Sequence, residues 1–303
     1  RNTWTRRAQK GKSSEKENKF ISVKLLTCRF MLKSFLFVFS LMLCSSLLAQ
    51  LGGPQTSGAR SLGAGGVGLT FQDVHAGWGN PAGLAGGTQT SFALFAEQRF
   101  ALSDIRQVSA VGAFVLGEST GGLTVSYYGF EGYNEQRIGL LYGRKLGEKI
   151  QLGAQLYTLG VNIPEYGNKQ VVSFELGLLT EISPSVTLAG KVANPVRVTL
   201  LEGDDLPSVI SVGFQYNPGT QVSIFGEVEK DILFPVRVRV GLEYQLLESF
   251  FLRAGIATEP SVLSFGIGYF LMDQWRLDLA ASYHQYLGFT PGIGVVYSGK
   301  EKK

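Results

Sequence analysis

Apolar and polar side chains alternate along most of this chain, from about residue 91 to residue 298. In PVRVRVGLEYQ, residues 235–245, valine, leucine and tyrosine occupy even-numbered positions, and arginine, glycine, glutamate and glutamine occupy the odd-numbered ones from 237 onward. In QWRLDLAASYH, residues 274–284, the large apolar side chains fall on odd-numbered positions. A period of two residues is the signature of a strand with one apolar face. The alternation therefore predicts an all-β fold.

Turn-forming residues divide this region into about fourteen predicted strands of a transmembrane type. Glycine, proline and asparagine recur between the apolar runs, as in Gly132-Tyr133-Asn134 and Asn217-Pro218-Gly219. The strands are predicted to begin near Ser91, Ile105, Gly122, Glu135, Lys149, Lys169, Ser185, Leu206, Thr220, Phe234, Ser249, Ser261, Gln274 and Phe289. A strand and its connection together take about fifteen residues, as in membrane barrels. The alternative count is twelve strands.

A soluble β-sandwich also alternates, but two features favour a transmembrane antiparallel β-barrel. Only 17% of the residues are charged, which is too few to cover the outside of a fourteen-stranded sandwich. Aromatic residues recur near the predicted strand ends, where they suit the two interfaces of a bilayer; these are Tyr127, Tyr142, Tyr216, Phe250, Tyr269, Trp275, Tyr283 and Tyr297. Strands can span lipid only in a closed sheet, because every backbone donor must be paired there.

The N-terminal region has the pattern of an export signal. Residues 1–30 are polar and basic and are interpreted as an upstream or processed segment. Residues 31–49, MLKSFLFVFSLMLCSSLLA, have one lysine, an apolar core and a small residue before Gln50, which predicts a signal peptide and an outer-membrane location. Both cysteines, Cys28 and Cys44, precede the predicted cleavage point. The basic surplus also lies before Gln50, so charge does not indicate a nucleic-acid partner.

The segment between the signal and the barrel is rich in glycine. Residues 63–68 read GAGGVG, which matches the dinucleotide-binding pattern G-x-G-x-x-G. That pattern needs a strand before it and a helix after it, and neither is predicted here. Glycine also recurs on the less apolar face of the strands, as at Gly139, Gly177 and Gly255. Because glycine in a strand allows close backbone approach, we expect another segment to fill a narrow lumen.

Residues 58–85, GARSLGAGGVGLTFQDVHAGWGNPAGLA, resemble the opening motif of FadL/PorV-type (PorV/PorQ-like) outer-membrane barrels. The resemblance implies that residues 50–90 form a hatch inside a barrel of residues 91–299, with residues 300–303 as a tail. It also implies a structural or gating role for the hatch motif, which comprises Arg60, Gly63, Gly65, Gly66, Asp73, Asn80, Pro81 and Gly83. Unlike the channels of this family, the chain has short predicted connections on both sides.

Charged side chains on the less apolar face are expected to point into the lumen; they are Glu175, Glu227, Arg237, Arg239, Glu243, Arg276 and Asp278. Their mixed signs favour ion pairs that brace the barrel over a selectivity ring, which would gather one sign at one height. The two histidines, His75 and His284, stand apart and predict neither a metal site nor a catalytic site. No enzyme activity, cofactor or nucleic-acid binding is predicted.

The resemblance implies two functions of different class. The first is a PorV/PorQ-like component of protein export or surface attachment, related to type IX secretion, with secretion-machinery proteins as partners. The short connections and the absence of an evident apolar groove favour it. The alternative is a FadL-like channel for small hydrophobic molecules such as long-chain fatty acids. A barrel with a purely structural role is a third interpretation, and in all three the barrel contacts outer-membrane lipid.

Overall fold

The computed structural model describes residues 58–300, except residues 166, 197, 202–203 and 233. The predicted signal peptide, the segment before it, both cysteines and the last three residues lie outside this range. Within residues 58–300, none of the helices is long and apolar enough to cross a membrane.

Fourteen antiparallel strands of the described chain close into a barrel. The first half of the chain forms β1 (Ser91–Gln98), β2 (Arg106–Leu116), β3 (Ser119–Phe130), β4 (Tyr133–Leu146), β5 (Ile150–Ile163), β6 (Gly167–Ser183) and β7 (Val186–Ala193). A separate two-stranded hairpin, β8 (Thr199–Leu201) and β9 (Asp204–Asp205), precedes the second half. That half forms β10 (Val209–Tyr216), β11 (Val222–Asp231), β12 (Arg237–Leu247), β13 (Phe250–Ala257), β14 (Val262–Met272), β15 (Trp275–His284) and β16 (Gly288–Ser298).

The barrel closes where β1 pairs with β16, with Ser91 opposite Ser298. The predicted all-β barrel of fourteen strands is confirmed, and the alternative count of twelve is wrong. The β8–β9 hairpin is not predicted by the sequence. The strand expected from Leu206 begins at Val209, because Leu206 belongs instead to the connection that carries this hairpin.

The outer surface of the barrel is apolar, as the alternation predicts. Leu94, Leu140 and Phe265 are each more than half exposed, although they lie in the middle of strands. Each such side chain gains about 1.5–3 kcal/mol when it leaves water for an apolar phase. A bilayer supplies that phase, and the closed sheet leaves no unpaired strand edge in it.

The two ends of the barrel differ in their connections. We call the end that holds Ser91 and Ser298 the terminal end, and the opposite end the far end. At the terminal end most strands are joined by two or three residues, as at residues 117–118 and 273–274. The far end has both short connections, as at residues 131–132, and longer ones, as at residues 99–105 and 194–208; we call the last of these the 194–208 connection.

Residues 58–86 fold inside the barrel, and we call them the hatch. A short helix, α1 (Gly58–Gly63), is followed by two 3₁₀ helices, Val74–Gly77 and Pro81–Gly86. The side chain of Asp73 caps the first 3₁₀ helix by accepting from the backbone N–H of His75. The side chain of Asn80 caps the second in the same way, and Pro81 stands in its first turn, where no N–H is needed. Nearly every hatch residue is buried.

Candidate functional site: the plugged lumen

The hatch packs against the wall through glycines that face the lumen. A Cβ built on Gly63 would lie 2.8 Å from the Cα of Gly266 in β14. Gly255 in β13 has no room for a Cβ, because the backbone of Ala64 and Gly65 occupies that space. Gly153 in β5 likewise faces the hatch backbone. The lumen is therefore filled at mid-height by a second layer of backbone.

Three further hatch glycines have their own geometric reasons. Gly65 and Gly66 adopt positive φ angles of 79° and 82°, which side-chain-bearing residues rarely adopt. A Cβ on Gly83 would collide with the carbonyl oxygen of Phe71. These positions fix the path of the hatch rather than offering groups to a ligand.

Asn80 joins the second 3₁₀ helix to the wall. Its Oδ1 accepts from the N–H of Ala82 at 3.1 Å. Its Nδ2 donates to the carbonyl oxygens of Leu69 at 3.0 Å and of Leu178 in β6 at 3.2 Å. The side chain is fully buried, and Gly177 provides the space for it. Every hydrogen-bonding group of this amide except one lone pair therefore has a partner, which ties the hatch to β6.

Arg60 is the main ionic link between hatch and wall. It donates to both carboxylate oxygens of Glu243 in β12, at 2.9 and 2.6 Å, and to Asp73 at 3.0 Å. Burial alone would lower the pKa of Arg60, but the two carboxylates raise it above the ordinary value. Burial would raise the pKa of Asp73, but the His75 ring and the Arg60 guanidinium hold it well below its usual range. Both hatch residues therefore stay charged.

The wall continues this network across three strands. Arg253 in β13 contacts Glu243 at 2.5 Å and Asp278 in β15 at 2.6 Å. Arg276 donates to Asp278 at 3.0 Å and lies 3.9 Å from Asp73. Three arginines face three carboxylates, so the formal charges balance. We call these six residues the hatch network; they are Arg60, Asp73, Glu243, Arg253, Arg276 and Asp278.

A second acidic side chain holds the middle of the hatch. Glu227 in β11 accepts from the backbone N–H groups of Gly68 and Leu69 at 2.6 and 2.7 Å. Arg239 lies 3.5 Å from Glu227 and donates to Glu229 at 2.9 Å. Arg237 reaches Glu229 only at 4.0 Å and is farther from the hatch.

Glu175 in β6 does not contact the hatch. It pairs with Arg137 in β4 and with Lys191 in β7 at 3.2 Å. The Arg137 guanidinium also stacks over the ring of Tyr157, 3.6 Å from its centroid. The predicted lumen charges therefore fall into three separate clusters of mixed sign, as bracing ion pairs would. The structural or gating role of the hatch motif stays a prediction.

An apolar cluster that includes Tyr157 lies inside the far end of the lumen and is not predicted from the sequence. Its buried members are Tyr157, Leu159, Val161 and Leu206, and half-buried apolar residues pack against them: Tyr133, Ile163, Val171 and Val198. We call these eight residues the far-end cluster.

The signal for the far-end cluster is an inversion of the alternation in β5. The lumen-facing residues beyond Leu156 are apolar, whereas the outward residues are Thr158, Gly160 and Asn162. The residues opposite Gly160 in the two adjacent strands, Gln136 and Gln170, are also polar. Polar side chains do not favour the hydrocarbon core. This part of the wall therefore stands above it.

The far-end cluster lies beside a gap in the wall. β6 pairs with β7 only from Glu175 to Ser183, so its first eight residues have β5 as their ladder partner on one side alone. The 194–208 connection covers the other side, where the N–H of Asn194 donates to Phe174. Leu206 of this connection is buried in the cluster.

Asn194 holds the 194–208 connection in place. Its Nδ2 donates to the carbonyl oxygen of Leu206 at 2.8 Å, and its Oδ1 accepts from the Ser173 hydroxyl of β6 at 2.7 Å. Ser208 donates to its backbone oxygen at 2.6 Å. The residue is buried and has a positive φ of 49°, which asparagine tolerates better than most residues.

Solved structures share this architecture. The toluene transporter TbuX of Ralstonia pickettii superimposes with a TM-score of 0.61 at 13% identity, over 82% of this chain and 98% of that one. The fold is that of FadL-type outer-membrane channels. The toluene transporter TodX of Pseudomonas putida gives 0.60 at 13% identity, over 82% and 99%. A FadL homologue of Pseudomonas aeruginosa gives 0.59 at 15% identity, over 82% and 98%.

Sequence comparisons add no family. No protein-family model matches the chain, and no curated protein matches it in sequence. Among residues 58–300 with their gaps, no group of three or more His, Cys, Asp or Glu side chains is placed to hold a metal ion.

Proposed function

We propose that this protein is an outer-membrane channel that admits small hydrophobic molecules. The observation that carries the proposal is the far-end cluster, since a water-filled pore would have a polar lining at that place. Binding sites for small apolar molecules are concave and lined by apolar and aromatic side chains. The shared fold with two toluene transporters supports the same class of cargo.

The connections orient this channel. Barrels of the outer membrane have short turns on the periplasmic side and longer loops on the outside. By this rule the terminal end faces the periplasm, and the far-end cluster faces the cell exterior. The cluster is then the first apolar surface that a hydrophobic molecule meets in the lumen.

The hatch and the 194–208 connection determine the route. The hatch fills the lumen below the far-end cluster, so a molecule bound there has no straight path to the periplasm. It reaches the periplasm after the hatch moves, because the gap beside β6 lies above the hydrocarbon core and opens towards the exterior. The far-end cluster is then the entry site, and its apolar side chains control uptake at low concentration.

The test compares two leucines of β5. Leu159 points into the far-end cluster, and Leu156 on the same strand points outward and is 53% exposed. Leu159→Ser removes apolar contact worth roughly 1.5–3 kcal/mol, so we expect uptake at limiting concentration to fall about tenfold or more. Uptake of radiolabelled toluene and of a long-chain fatty acid is measured in a host strain that lacks other channels of this class.

Leu156→Ser is the matched control and should leave uptake near the parent level. Equal uptake with the parent protein and with an empty vector, for both molecules, would contradict the channel function. Equal uptake with Leu159→Ser and Leu156→Ser would show that the far-end cluster is not the entry site.

A role in protein export is the second candidate. The filled lumen suits a protein that acts by contact, and apolar side chains are exposed on adjacent far-end connections, at Leu102, Tyr286 and Leu287. The test compares the secreted proteins of a deletion strain with those of its parent by quantitative proteomics. Secreted proteins that accumulate in the periplasm would support export, whereas an unchanged secretome would rule it out.

A further inference from the structure

A second space lies at the terminal end of the lumen, on the opposite side of the hatch from the far-end cluster, and both polar and apolar side chains line it. It is a cavity of about 160 Å³ between the hatch and the wall. An empty apolar cavity of about 150 Å³ in another protein is large enough to bind benzene. This cavity therefore has room for one aromatic ring.

The apolar part of the cavity wall suits the faces of such a ring, and glutamine, serine and threonine side chains form much of the rest. Val74 and Leu84 line it from the hatch, and Ala113 of β2 and Val296 of β16 line it from the barrel. Phe270 of β14 lines it as well, with the Arg276 guanidinium 5.8 Å from the centre of its ring. Aromatic rings pack favourably against other rings and against guanidinium groups.

Asp73 adds a hydrogen-bond acceptor at the roof of the cavity. Its oxygens already accept from Arg60 and His75, yet 37% of the side chain is exposed, which is more than for any other carboxylate in the hatch network. An ionised carboxylate has about four lone-pair sites, so it can accept from a ligand as well. The hatch network is electrically balanced, which favours a neutral ligand over an ion.

We propose that this cavity is an exit-side binding site for a neutral one-ring aromatic molecule with a hydroxyl group, of the phenol class. The ring lies between Phe270 with Arg276 and the hatch side chains, and the hydroxyl donates to Asp73. The proposal rests on the channel function proposed above and extends it, because it gives the molecule a second site on the periplasmic side of the hatch.

The test is calorimetric titration of the purified full chain in detergent with phenol, toluene and benzoate. Phenol should bind more tightly than toluene, which lacks the hydroxyl, and more tightly than benzoate, which carries a charge. Ala113→Leu fills the cavity from β2 and should weaken phenol binding at least tenfold. Val296→Phe fills it from β16 and should do the same, so the result does not depend on one variant.

The matched control is Ala110→Leu, on the outward face of the same strand, which should bind phenol as the parent does. Parent-like phenol binding in both filled variants would overturn the proposal, as would tighter binding of toluene or benzoate than of phenol. Uptake of phenol is also measured in cells that express the same variants. Phenol binding without uptake would refute the channel function alone, and uptake without phenol binding would refute this site alone.

Discussion

At the scale of single residues, the inner glycines decide whether the hatch fits. Gly255 faces the backbone of Ala64 and Gly65 with no space for a side chain. We expect Gly255→Val to destabilise the docked hatch by about 1–3 kcal/mol, the usual cost of overpacking. Limited proteolysis of the folded barrel in detergent should then cut the hatch faster than in the parent protein.

Gly160→Val is the control, because the nearest atoms to a Cβ at Gly160 lie 3.9 Å away. Equal cleavage rates in the two variants would mean that the close approach at Gly255 does not hold the hatch. The sequence predicts these inner positions by parity alone, since glycine recurs on the face opposite the leucines and valines. It does not predict their partners, because Arg60 and Glu243 are 183 positions apart.

At the scale of elements, Asn194 ties the start of the 194–208 connection both to β6 and to the end of the connection itself. Asn194→Ala removes the side-chain hydrogen bonds to Ser173 and Leu206. Each such bond contributes about 0.5–1.5 kcal/mol net, and alanine also disfavours a positive φ. We expect faster backbone hydrogen exchange across residues 194–208, with β4 and β5 unchanged.

Asn217→Ala serves as the comparison, because Asn217 lies in a connection at the terminal end and accepts one hydrogen bond from Gln215. Its effect should stay within its own turn. Exchange at residues 194–208 that is the same in Asn194→Ala and in the parent would remove the case for Asn194 as the fixing residue.

The strands themselves are predictable, and their exceptions have physical causes. Every predicted strand start lies within three residues of the first residue of a barrel strand, because alternation and turn residues are local signals. The hairpin between β7 and β10 lacks alternation and escapes detection. The far-end cluster is missed because apolar side chains face the lumen, and polar ones face outward, in β5 beyond Leu156, where the wall leaves the membrane.

At the scale of the whole molecule, the hatch network connects the plug to the wall, and Glu243 lies between two arginines. Glu243→Gln leaves Arg60 and Arg253 without their shared carboxylate. Breaking a buried ion pair in this way costs about 3–5 kcal/mol. We expect the parent barrel to conduct few ions in a planar bilayer and the variant to show frequent openings.

The exposed Glu148→Gln, in a turn at the terminal end, should conduct as the parent does. A silent Glu243→Gln barrel would show that backbone packing alone keeps the lumen closed. Frequent openings of the parent would show that the hatch does not seal the lumen at all.

The backbone-to-backbone packing of hatch and wall also has an evolutionary consequence. An enlarged residue at Ala64 would need a recess in β12 and β13, but Gly241 and Gly255 already have the smallest residue there. A larger residue on the hatch therefore cannot be accommodated by a smaller residue on the wall. A larger residue on the wall would collide with the hatch backbone. Hatch and barrel must be inherited as a unit, and a hatch grafted from a distant relative would not fit this lumen.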